Sequence, residues 1–94
     1  MNDRITREKL LKYFDVTGRA LSAARKSLNK SGLKKEREEI LDMAERYYSD
    51  AKHYFEKGDF VTAFASLNYA HGWLDCGARI RVFDVHDSEI FAAD

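Results

Sequence analysis

Three histidines, one cysteine and the acids placed near them are the side chains of this 94-residue chain that could do chemistry. His53 follows Asp50 by three residues, and His71 precedes Asp75 by four. On a helix those spacings share a face, so each pair offers two ligands to a metal ion. A hairpin turning at Gly58 pairs positions whose numbers sum to about 117, which sets His53 opposite Phe64. His71 then lies seven residues further on, roughly 10 Å away along a helix, and one ion cannot bridge both pairs. The same register draws Asp42 towards Asp75, so His71, Asp75 and Asp42 make up the one polar site worth naming. The competing reading is a histidine hydrogen-bonded or exposed on a helix surface. That reading is preferred here, with no metal and no cofactor expected.

Arg46 and His53 have six residues between them, which fits the loose Arg-x(4–6)-His pattern of helical ribonucleases, where the pair acts on a scissile phosphate. Arg81 and His86 fit it too, in what reads as a tail, so the pattern discriminates little. Cys76 has no histidine at helical spacing and falls on an apolar stripe, which predicts a buried packing thiol rather than a nucleophile. No glycine-rich phosphate loop, nucleophile elbow or zinc knuckle occurs in the chain.

These residues need elements to position them, and the chain reads as all-α. Proline is absent and glycine occurs only five times. A first helix over about 3–29 places Leu10, Phe14, Leu21, Ala24 and Leu28 on one face, with Glu8, Lys12, Asp15, Arg19, Ser22 and Lys26 opposite. Ser31-Gly32 ends it. A second, over about 34–57, opens on Glu36, Glu38 and Glu39, acids that complement the positive end of the helix dipole. Its stripe is Ile40, Leu41, Ala44, Tyr47, Tyr48, Ala51, Tyr54 and Phe55. Gly58 stops it and Asp59 caps a third helix over about 60–81.

The third helix is apolar on two sides. Phe60, Ala63, Phe64, Leu67, Ala70, Leu74 and Ala78 form one stripe; Ala65, Tyr69, Trp73, Cys76 and Ile80 form another. Asn68, His71, Asp75 and Arg79 make the polar strip between them. Gly72 and Gly77 interrupt it, each at a cost of about 1 kcal/mol relative to alanine, which predicts a packing reason for both. Short connections make the helices sequential antiparallel neighbours, so a three-helix up-down-up antiparallel bundle is expected, one domain over 1–94. The tail, 82–94, is expected either to fold back through Val82-Phe83-Asp84-Val85, with Asp87 or Ser88 capping one short turn that carries Ile90 and Phe91, or to fray.

Sixteen basic and sixteen acidic residues cancel, which argues against a dedicated nucleic-acid or anionic-membrane binder. The charges are nevertheless segregated: residues 1–35 hold ten basic and three acidic side chains, residues 36–94 six and thirteen. The economical reading is that the basic end of helix 1 attracts the acidic start of helix 2. No apolar run is long enough to span a membrane, Met1-Asn2-Asp3-Arg4 lacks a signal peptide's apolar stretch, and a single cysteine suits a reducing compartment. The expectation is a cytoplasmic protein.

The runs Tyr47-Tyr48-Ser49-Asp50-Ala51-Lys52, Phe55-Glu56-Lys57-Gly58-Asp59-Phe60-Val61-Thr62-Ala63-Phe64-Ala65 and Asn68-Tyr69-Ala70-His71-Gly72-Trp73-Leu74-Asp75-Cys76-Gly77-Ala78-Arg79, closing with Val82-Phe83-Asp84-Val85, resemble a family of short archaeal proteins known as domain of unknown function 357. The resemblance covers about the last half of the chain; the first helix is similar only in character. It implies a small helical bundle, an archaeal origin and a cytoplasmic location, and it supplies no catalytic residues. From the residues themselves the expected function is a non-enzymatic interaction module that binds a protein partner or a second copy through Ala65, Tyr69, Trp73, Cys76 and Ile80. The reading from another class is an RNA-processing or nucleotide-related enzyme, or its accessory subunit, using Arg46/His53 or His71/Asp75.

Overall fold

The computed structural model describes residues 4–91. Asp3 and the tail positions 92–94 lie outside them; the first helix, expected from about residue 3, opens only at Arg7, because residues 4–6 are not helical and Thr6 is its cap. Three helices follow in order, α1 over Arg7–Lys26, α2 over Lys34–Glu56 and α3 over Phe60–Arg79, with no strand among the described residues. They form an up-down-up bundle 41 Å long and 23 × 20 Å across.

Each boundary has a local cause. The Thr6 hydroxyl accepts the Lys9 N–H at 3.1 Å and starts α1. Gly58 adopts φ +80° between α2 and α3, a left-handed conformation that costs glycine little. Asp59 then caps α3 by accepting the Thr62 N–H at 3.1 Å. Hydrogen bonding from the Thr62 side chain and, second, from this backbone N–H holds the Asp59 pKa below its usual value. At the other end of α3, Arg81 takes φ +67° while the Val82 N–H returns to the Gly77 carbonyl at 3.0 Å.

α1 ends three residues earlier than its periodicity predicts, and the reason is tertiary. The Arg37 guanidinium, from the first turns of α2, donates to the carbonyls of Ala24, Arg25, Ser27 and Val82. It thereby satisfies carbonyls that α1 leaves open at its C-terminus. The chain turns extended at Ser27, and Asn29 and Ser31 organise the connection by side-chain hydrogen bonds. Leu28, assigned to the buried face from its spacing, is therefore outside the helix and 66% exposed.

Alanines set the helix spacing. Ala20, Ala24, Ala44, Ala51, Ala63 and Ala70 have no exposed surface. One core cluster, at the connection end, joins Leu21, Ile40, Leu74 and Ala78 to the tail residues Val82, Phe83, Ile90 and Phe91. The other, at the hairpin end, centres on Leu10, Ala51, Ala63 and Leu67, walled by Phe14, Phe55, Phe60 and Phe64. Tyr48 touches both clusters. Its hydroxyl donates to the Phe14 carbonyl at 3.2 Å, and burial, with a smaller contribution from Asp15, raises its pKa.

This packing fixes tail residues 82–91. Asp87 organises the short turn: its carboxylate accepts the Glu89 N–H, and its carbonyl accepts the N–H groups of Ile90 and Phe91. Arg25, at the end of α1, pairs at 2.8 Å with Glu45 in the middle of α2 and not with the acids at the start of that helix.

Candidate functional site

α3 positions both groups of side chains that the sequence singles out, and it points them in different directions. The polar strip turns towards α1. His71 Nδ1 lies 3.1 Å from the Thr17 hydroxyl, and His71 Nε2 lies 3.7 Å from the Asp75 carboxylate. The order hydroxyl, imidazole, carboxylate is that of a nucleophile with its base and orienting acid. Here the hydroxyl belongs to a residue only 3% exposed inside the helix packing, and the carboxylate is beyond hydrogen-bond reach of the ring. The arrangement ties α3 to α1. Around it Tyr13, Val16, Leu67, Asn68 and Gly72 complete a shallow hollow of about 320 Å³.

Asp42 is not part of that hollow. It pairs with Arg46 one turn along α2, at 2.9 Å, and borders a separate depression. The structure thus brings His71 and Asp75 together and leaves Asp42 on another side. The register argument held along the axis, since Tyr47 stacks on Tyr69 with ring centroids 5.1 Å apart. It carried no information about which way His71 faces. Thr17, the actual partner of His71, went unnoticed because a lone threonine in a helix has no periodic signature.

Arg46 and His53 are both exposed on α2, two turns apart. Arg46 is engaged with Asp42, and the His53 ring sits edge-on to Tyr54. Among the described residues no group of three or more His, Cys, Asp or Glu side chains is placed to hold a metal ion.

The second apolar stripe lies on the outside. Ala65, Tyr69, Cys76 and Ile80 are exposed, Tyr69 by 62% and Ile80 by 42%, and Trp73 is half-buried with one side on the core. Cys76 is therefore an exposed free thiol, not the buried packing residue its stripe predicted. Among the described residues the bundle has only two other helices, which with the tail pack mainly against the first stripe and the inner side of Trp73 and leave the rest of the second stripe outside. Tyr47, Asn68, Tyr69, Gly72, Trp73 and Cys76 line an open hollow of about 350 Å³ on this side. Trp73 and Ile80 continue into a second hollow of about 350 Å³ with Ile40 and Met43, bordered by Glu36, Glu39 and Asp42.

The two glycines of α3 differ. A Cβ on Gly77 would collide with the Phe83 ring, so that glycine has the packing reason expected of it. A Cβ on Gly72 would meet nothing within 4 Å, so no contact inside the chain explains this one.

These features define a class, a small all-helical protein built on an α2–α3 hairpin with a Gly-Asp turn and with α1 laid along it. The chain belongs to the family described as protein of unknown function DUF357, whose model matches residues 12–83. The match is wider than the Tyr47–Val85 resemblance and takes in most of α1. No curated protein and no solved structure matches the chain. No helix among the described residues is long and apolar enough to cross a membrane.

Proposed function

We propose that this protein is a non-enzymatic interaction module whose contact face is Ala65, Tyr69, Trp73, Cys76 and Ile80. One observation carries the reading. With three helices packed and the tail folded back, four of these five apolar side chains are still exposed. The described tail residues do not cover them, because Val82, Phe83, Ile90 and Phe91 are spent in the core. A folded protein retains so apolar a helix face where something docks on it. Tyrosine and tryptophan are the side chains that dominate binding energy in such faces. An exposed lone thiol supports a reducing compartment, and the cytoplasm is the proposed location.

Cys76 offers the test, because it is the only cysteine and lies within the face. A thiol-directed photo-crosslinker placed there is irradiated in the purified protein and in extract of the source cells. Discrete adducts that Tyr69→Ala reduces several-fold are expected, with circular dichroism confirming that the variant is folded. A smear without discrete adducts, or adducts indifferent to Tyr69→Ala, removes the reading.

A further inference from the structure

The acid-bordered end of this face adjoins a projection of opposite charge on the same chain. Glu36 and Glu39 border the hollow whose apolar lining is Ile40, Met43, Trp73 and Ile80. Beside it runs the α1–α2 connection, held to the end of α3 and the tail by the Lys30 N–H on the Arg81 carbonyl and the Asp84 N–H on the Leu28 carbonyl. That connection leaves Leu28 and Leu33 exposed, flanked by the exposed Lys30, Lys34 and Lys35. Among the described residues none of Glu36, Glu39, Lys30, Lys34 and Lys35 is engaged in an ion pair.

We propose that a second copy of this chain fills the hollow, with Leu28 and Leu33 of each copy entering the other's groove and the lysines facing Glu36 and Glu39. The inference rests on reading this side of α3 as a contact face, and it names the occupant. Charge complementarity argues for a second copy, because the basic apolar projection that suits an acid-bordered apolar groove is already present on the chain. Adjacency argues for closure. With projection and groove side by side at one end, a two-fold axis between them makes both contacts at once and ends the assembly at a pair. A stable interface needs about 800 Å² from each partner. That is about an eighth of the 6319 Å² surface. The zero net charge leaves no overall repulsion between copies.

Two charge-reversed full-length variants test it, one carrying Lys30→Glu and Lys34→Glu, the other Glu36→Lys and Glu39→Lys. In the first, projection and groove are both acidic; in the second, both are basic. Sedimentation equilibrium of the wild type is expected to give twice the 10.9 kDa chain mass, less so as salt rises. Each variant alone is expected to pair at least about tenfold more weakly. Their equimolar mixture should pair again, since each acidic element then meets a basic one. A wild type that stays at the single-chain mass at low salt overturns the inference. So do variants that pair with themselves as well as the wild type does, or a mixture that fails to pair. A single-chain wild type whose Cys76 adducts persist in extract would overturn the second copy alone and leave the contact face standing. Absence of both would end both readings.

Discussion

Gly72 and Gly77 lie five residues apart in α3, and a sequence gives no way to tell them apart. Gly77 is buried under the Phe83 ring, and an added Cβ would also come 3.2 Å from Val82 Cγ2. Gly77→Ala is expected to destabilise the fold by about 1–3 kcal/mol through overpacking. Gly72 faces open space. Gly72→Ala is therefore expected to stabilise the chain by about 1 kcal/mol, through helix propensity and a less mobile unfolded chain. For a domain of this size that raises the melting temperature by about 4–8 °C. Thermal unfolding followed by circular dichroism reads both, and a Gly72→Ala variant that melts below the wild type would contradict the open geometry. The distinction depends on where the tail lies, which is a contact between residues the helical period does not relate. Cys76 and His71 illustrate the same limit. Their stripe and strip were legible, but whether a stripe is covered depends on how many neighbours the helix has.

At the scale of elements, what was legible was local. The three helices, the Gly58 turn, the Asp59 cap and the α2–α3 register all follow from spacing and capping chemistry within a few residues. The end of α1 did not, because it is set by Arg37 from the next helix. That guanidinium donates to four backbone carbonyls, three of them at the close of α1 and one, Val82, in the tail, and it lies over the Phe83 ring at 5.3 Å. It joins α1, α2 and the tail at one point. Removing it leaves partly buried carbonyls without a donor, so Arg37→Ala is expected to cost about 2–4 kcal/mol in urea unfolding. Arg37→Lys is expected to recover little, since a single ammonium cannot span acceptors that a planar fork reaches together. A loss below about 0.5 kcal/mol, the size of an ordinary surface change, would mean that water replaces the guanidinium without penalty.

For the whole molecule, the tail has the weight of a fourth element without being a helix. Val82 and Phe83 are buried against Gly77 and Ala78, and Ile90 and Phe91 close the connection end of the core beside Leu21 and Ile40. This placement lets α3 keep its second stripe outside: the apolar surface the tail contributes goes to the core cluster, so the Tyr69 side stays open. Ending the chain after His86 would remove Ile90 and Phe91 and uncover what they cover. Burial of each is worth about 1.5–3 kcal/mol, so the shortened chain is expected to lose about 3–6 kcal/mol. That is a large part of the 5–15 kcal/mol typical of a folded domain. The urea midpoint should fall accordingly, and the double variant Ile90→Ala with Phe91→Ala should reproduce most of the fall in a chain of full length. A midpoint that does not move would mean that the two side chains rest on the core without holding it. The Tyr69 side of α3 should remain as reactive to the Cys76 probe as before in whatever fraction stays folded, because none of residues 87–91 lines it.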